Sequence, residues 1–386
     1  MLRSKSYTIA AALALAAPSA AWAQAQNDIL IGVDEPLTGD VAASGNYVTD
    51  GARIAEAAIN AHGGVLGRKI RLVIEDNKSN PRDAATAAQR LIVRDHVPVL
   101  MGAWGSTFTL SVMPMLIENS VPMVVETSSS PKITTSGNPW VFRIAPTSEM
   151  EAKSFAAKIS QFNPPIRKAD FLAVNNDFGL GSINAFKTAL SAAGVQIGAI
   201  QTMSPDATDM SAQLATIKKS GGDTLFLTTE VEQIILVLKQ AAEQRLGQRV
   251  ITDGGSSSPD QLIAQAGAAA NGNYFTVFFA PWFPEKAPYP DLAKAFVQAW
   301  TGQKYPVPGM TEGYRGYDGI STIAAAITAA GKVDPDAIRQ ALWKVKVKGL
   351  NGDISFVPQG PKGKESGQNE ANVYIVKIVD GKVTLQ

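Results

Sequence analysis

The sequence predicts a doubly wound α/β protein of two lobes, and three observations carry that prediction. Short apolar runs alternate with amphipathic stretches about every 25 to 30 residues, the pattern of successive βαβ units on parallel sheet. The chain has 386 residues, 45% of them hydrophobic, more than a single core usually organises. It contains no cysteine, so its stability must come from packing, which suits a well-buried α/β protein better than a disulfide-stapled scaffold.

The first segment is not part of that pattern. Arg3 and Lys5 form a basic start, residues 9–17 an apolar run, and Ala21-Trp22-Ala23 a small-x-small end, the layout of a cleavable export signal. That run is too short to anchor a protein, and no later stretch approaches the roughly 18 apolar residues of a membrane span. The expectation is an exported, unanchored protein cut after Ala23. Losing Arg3 and Lys5 from 35 basic residues leaves 33 against 34 acidic ones, a formal charge of −1. Such a balance predicts no nucleic-acid or anionic-membrane partner.

The folded part opens with a strand at 28–33 and a helix at 48–61, where Ala52, Ala55, Ala58 and Ile59 share one face. A strand at 69–75, a helix at 81–94 begun by Pro81, and a strand at 97–102 follow. The pattern repeats with a helix at 106–119 and strands at 121–126 and 140–144. After Pro146 a second run sets strands at 169–175, 195–201, 224–228 and 250–252 between helices at 181–193, 210–219, 230–244 and 259–266. The proline-rich stretch 281–290 reads as a loop whose Trp282, Phe283 and Tyr289 cover a surface. Helices at 311–331 and 335–346 come next. The last strands, 373–379 and 382–385, meet at Asp380-Gly381, a hairpin dipeptide because both positions tolerate positive φ.

Catalytic equipment is missing from the sequence. There is no dinucleotide fingerprint, no phosphate loop and no Gly-x-Ser-x-Gly elbow. Gly179-Leu180-Gly181 reads as a turn into a helix. His62 and His96 are isolated at helix ends, and with no cysteine they predict neither a metal centre nor a cofactor. What remains is two groups of hydroxyls at strand ends. Ser106-Thr107 opens a helix, where a carboxylate would meet both hydroxyls and the free amides of the first turn. Thr127-Ser128-Ser129-Ser130 follows the next strand. Ligands of open α/β sheets bind in this crevice, although each group alone also reads as a helix cap or a loop.

Three stretches carry a family resemblance: Gly39-Asp40-Val41-Ala42-Ala43-Ser44-Gly45, Ile59-Asn60-Ala61-His62-Gly63-Gly64-Val65-Leu66-Gly67-Arg68-Lys69-Ile70, and Asp76-Asn77-Lys78-Ser79-Asn80-Pro81. They resemble the amino-terminal half of the Leu/Ile/Val-binding proteins, receptors of branched-chain amino acid type ABC transporters. The likeness continues through residues 102–109, 122–131 and 175–181, then more loosely to the end. It implies a type I periplasmic-binding-protein fold, two doubly wound parallel-sheet lobes joined by three crossing segments near 144–145, 278–279 and 353–354. Lobe one would comprise 24–145 and 280–352, and lobe two 146–279 and 353–386.

The resemblance also implies a ligand site in the cleft. Ser106, within Trp104-Gly105-Ser106-Thr107, matches the serine that meets a substrate carboxylate, and Thr127, Ser128 and Ser129 lie where carboxylate and ammonium are contacted. Ser44 falls where a tyrosine often lines the cleft, and Phe178 where an aromatic residue of lobe two covers the ligand, or is ordinary loop packing. Glu230 takes an aromatic position, and Gly254 that of the acid that pairs with ammonium. Glu230 is the nearest replacement acid by chain position, with Glu126 second, although Glu230 also suits a helix amino terminus. The implied protein is a monomeric periplasmic receptor, not an enzyme, that takes an amino acid, amide or aromatic carboxylate to an inner-membrane ABC permease. A soluble sensor of the same fold and a secreted hydrolase are the competing classes.

Overall fold

The computed structural model describes residues 28–255 and 258–386. The export signal expected at 1–23 lies outside them. In chain order the strands are β1 Ile29–Glu35, β2 Ile70–Asp76, β3 Leu100–Gly102, β4 Met123–Val125, β5 Val141–Arg143, β6 Lys168–Val174, β7 Gln196–Met203 and β8 Thr224–Thr228. They continue as β9 Arg249–Thr252, β10 Tyr274–Val277, β11 Val347–Lys348, β12 Asp353–Ile354, β13 Val357–Gln359, β14 Ser366–Gln368, β15 Tyr374–Val379 and β16 Lys382–Leu385.

Among the described residues these strands form two seven-stranded sheets and one small ribbon of β11 and β12. The first sheet runs β13-β14-β5-β4-β3-β1-β2 and the second β16-β15-β10-β9-β8-β6-β7. Both are parallel except at one edge, where β13 runs against β14 and where β15 runs against β10 and β16. Each sheet thus reverses its winding once, between β1 and β3 in the first and between β6 and β8 in the second. Strand ends flanking such a reversal leave a crevice that helices cannot fill.

Helices cover both faces of each sheet, which is why the strands are continuously apolar rather than alternating. On the first sheet Val48 and Ala52 of helix Ala42–Ala61 pack with Ile320, Ile323 and Ile327 of helix Met310–Ala330. Those two helices touch through backbone: a Cβ on Gly51 would lie 1.7 Å from the Gly313 carbonyl oxygen. The other face carries Ala84, Leu91, Val112 and Leu116. In the second lobe Leu214, Ile217, Ile234 and Leu238 pack on one face, and Phe155, Phe171, Phe186 and Phe226 on the other. No described helix is long and apolar enough to cross a membrane.

Several elements depart from expectation. The first helix begins at Ala42, six residues before the expected 48. Helix Ser148–Ala157, helix Pro290–Gly302 and strand β10 are additional. The third crossing is displaced from 353–354: β13 and β14 belong to the first sheet, and the chain reaches the second only at β15. Backbone pairing of β14 with β5 holds it there, helped by a buried arginine. Arg143 of β5 bonds Gln368 of β14 through Nε at 2.7 Å, which pins a polar strand to the first sheet. The closing hairpin forms at Asp380 and Gly381, with φ of 48° and 69°.

Candidate functional site

The loops leaving the two winding reversals face one another and enclose a cavity of about 500 Å³. Trp104, Gly105, Ser106, Thr107, Thr127, Ser128 and Ser129 line it from the first lobe, and Phe178, Glu230 and Gly254 from the second. Ser44 does not line it. The early start of its helix turns Ser44 into the first lobe's interior, 5% exposed, and Asp40 and Val41 take the cavity wall instead.

The floor belongs to helix Ser106–Asn119. Its N-cap is Gly105, which makes no side-chain cap bond, so Ser106 is a first-turn residue and not a cap. The first three helical amides have no carbonyl four residues behind them within the helix, and the helix dipole adds a partial positive charge there. The Ser106 hydroxyl accepts from the Ser130 amide at 3.1 Å and keeps its own proton to donate. Ser128 is committed within the protein: its hydroxyl donates to the Trp104 carbonyl at 2.7 Å and meets the Thr109 hydroxyl at 2.7 Å. Arg143 holds this loop from behind, through Nη1 to the carbonyls of Ser128 at 3.1 Å and Ser130 at 2.7 Å.

The second lobe supplies the opposite wall. Asn176 caps helix Asp177–Ala192 by accepting from the amides of Phe178 and Gly179, each at 3.0 Å, and so sets Phe178 at the cavity. Its ring fills the space over Gly254. A Cβ on Gly254 would meet Phe178 Cζ at 2.3 Å, and the glycine sits at φ +89°, so an acid at 254 is excluded by both the ring and the backbone. Behind this loop Glu151 accepts from the Gly254 amide at 2.8 Å and from the Thr276 hydroxyl. Burial pushes Glu151 up to about 7. Beside it, burial holds the Asp253 carboxyl well above the usual range, although the Ser182 and Thr228 hydroxyls donate to it.

Glu230 differs from these supported acids. It occupies the N-cap of helix Val231–Glu243 but makes no cap bond, and its Oε2 is enclosed without a hydrogen-bond partner. Burial, reinforced by Glu312 and Glu232, pushes it up to about 8. The capping alternative therefore has no bond to support it. Glu126, the second candidate acid, is buried and accepts from the Trp104 amide at 3.3 Å, behind the wall. Arg315, fully buried on the lobe-one helix, pairs with Glu312 at 3.2 Å and reaches across to the Gly255 carbonyl at 2.7 Å.

Sequence reasoning does not find Arg143, Glu151 or Arg315, because their roles depend on contacts far along the chain. Asn176 carries a legible signal, an N-cap residue directly before a helix. His62 makes a helix-end contact, Nδ1 with the Ala58 carbonyl at 2.8 Å. Among the described residues no group of His, Asp and Glu could hold a metal ion.

The model of the periplasmic binding protein family matches residues 28–382. The chain belongs to this family. Leu/Ile/Val-binding protein homolog 3 of Brucella melitensis is 29% identical over 97% of each chain. Among solved structures, the leucine-binding protein of Thermotoga maritima superposes with a TM-score of 0.81 at 26% identity, covering 93% of this chain and 97% of that one. A solute-binding protein of an ABC transporter from Rhodopseudomonas palustris, in complex with 3,4-dihydroxybenzoic acid, gives 0.78 at 26% identity over 92% and 95%. The protein is thus a periplasmic binding protein of the Leu/Ile/Val-binding type, with the type I fold of two doubly wound lobes. Its family is one of solute binders rather than enzymes.

Proposed function

We propose that this protein is the periplasmic receptor of an ABC importer, closing its two lobes around a small carboxylate-bearing solute with an amine or amide donor and passing it unaltered to a membrane permease. One observation carries the reading: the cleft presents free helix amides and the Ser106 hydroxyl from one lobe and, from the opposite wall, the unpartnered Glu230 Oε2 of the other. The first pair suits a carboxylate or carbonyl. The second suits a donor, since an ammonium left unpaired in such a site costs several kcal/mol. Membership of the Leu/Ile/Val-binding type supports the amino-acid class, and the expected export signal supports a periplasmic location.

A thermal-shift panel of aliphatic amino acids, short amides, urea and aromatic carboxylates tests it. An amine- or amide-bearing member at 100 times its dissociation constant stabilises the folded state by roughly 2.7 kcal/mol. A shift confined to benzoate-like acids would remove the amine reading, and turnover of an ester, amide or glycoside would remove the receptor reading.

A further inference from the structure

One wall of the cavity is a loop with little packing of its own. Pro205, Asp206, Ala207 and Thr208 line the cavity and follow β7, the edge strand of the second sheet. Ser79 and Pro81 line it likewise and follow β2, the edge strand of the first. Ser106, Thr127 and Ser129 instead follow the interior strands β3 and β4, so loop 204–208 bounds the cavity on the side of the edge strands rather than over the floor. Ser204, Pro205, Asp206 and Thr208 are exposed, so apolar burial does little to fix where this wall stands.

Side-chain amides hold it from within. Gln233 of helix Val231–Glu243 is 7% exposed, and its Nε2 donates to the carbonyls of Ser204 at 2.9 Å, Pro205 at 3.0 Å and Ala207 at 3.0 Å. Its Oε1 accepts from the Thr229 hydroxyl. An amide nitrogen has two hydrogens, so both are committed to the loop. Gln240 and Gln244 continue the row on the same helix face. Gln240 Nε2 donates to the Thr208 carbonyl at 2.8 Å and its Oε1 accepts from the Met210 amide at 2.7 Å, while Gln244 Nε2 donates to the Ser211 carbonyl at 3.1 Å. Gln233 thus holds the stretch that walls the cavity, and Gln244 the start of the next helix, beyond it. Gln233 reaches the cavity itself, yet with its donors committed its part is to place the wall rather than to bond the solute.

We propose that Gln233 is a positioning residue of the receptor: by holding loop 204–208 against the cavity it fixes the length of solute that the two lobes accept. The inference rests on the receptor reading of the cavity and deepens it by naming what sets its selectivity. One methylene in a fitted apolar pocket discriminates by about 10 to 200-fold, so a wall displaced by the width of one carbon changes which solute fits.

Calorimetry with L-alanine, L-norvaline and L-2-aminooctanoate, and with acetamide, butyramide and hexanamide, tests this. Gln233→Met keeps the length of the side chain and none of its bonds. In that variant the ratio of affinities for the longest and the shortest member of the bound series should rise at least about tenfold over that of the intact mature protein. Gln244→Met, which frees the Ser211 carbonyl beyond the wall, should leave the ratio unchanged. Should Gln233→Met fail to fold, Thr229→Val, which removes the bond to Oε1, should move the ratio in the same direction. Equal weakening of every member in the folded variant, or a ratio that rises as much in Gln244→Met, would make Gln233 a fold contact and overturn the proposal while leaving the receptor reading intact. Binding of no member by the parent protein would overturn the amine or amide reading as well.

Discussion

At Ser106 the hydroxyl has two tasks, because it accepts from the buried Ser130 amide while its proton remains free for a ligand. Ser106→Ala should therefore weaken ligand binding by about 1 to 3 kcal/mol and also lower stability by a similar amount, about 1 to 3 kcal/mol, since a buried amide loses its partner. Calorimetry and urea unfolding separate the two effects. Glu230 makes a sharper case. Its folded value of about 8 exceeds its unfolded value near 4.5, so the folded protein holds a proton the unfolded chain has released. That stabilising difference is fully present below pH 4.5 and is lost as pH rises to 8, at up to about 1.4 kcal/mol per pH unit. Glu230→Gln should flatten stability over that window. An ammonium ligand requires the ionised form, so its affinity should rise from pH 6 to 8 in the parent protein. The variant should bind it at least tenfold more weakly at pH 8, with no such rise.

Among the elements, the loop 127–130 depends on β5 and β14 more than on its own residues. Arg143 is 0% exposed and donates to Gln368, Ser128, Ser130 and Thr134, so burial disfavours its charge while four acceptors answer it. Arg143→Met should cost about 3 kcal/mol or more in chemical denaturation and weaken binding with it, because the cavity floor loses its support. These same contacts mark where sequence reading stops. Helix Ser106–Asn119 is legible at both ends, since the alternation of apolar runs and amphipathic stretches gives the bounds it has in the fold. Strand β14 is not, because Ser366-Gly367-Gln368 has no apolar run and is buried through partners far along the chain, Arg143, Asn138 and Ala145. The third crossing, expected at 353–354, moves for that reason. The hydroxyl clusters are legible because they follow strand ends, whereas Phe178, Glu230 and Gly254 come only from the family resemblance; all of them except Ser130 line the cavity. The place of Ser44 is not legible, because no local signal shows that the first helix starts at Ala42 rather than 48. The packing of Phe178 on Gly254 likewise joins two loops far apart in sequence.

For the whole molecule, bonds between the lobes describe closure. Lys132 meets Asp177 at 2.8 Å, the Ser258 hydroxyl donates to the Pro308 carbonyl at 2.8 Å, and Arg315 donates to the Gly255 carbonyl. The exposed Lys132 pair is worth little alone, and the buried Arg315 bond is the stronger tie. Ligand must supply the rest, in the way hinge-closing proteins select one of two arrangements. Small-angle scattering of the mature protein, with and without the tightest solute from the thermal panel, tests that claim most directly. Hinge closure gives a smaller radius of gyration with solute, reversed on dialysis, and recovery of the solute chemically unaltered. An unchanged radius at saturation, or a solute recovered in altered form, would contradict it.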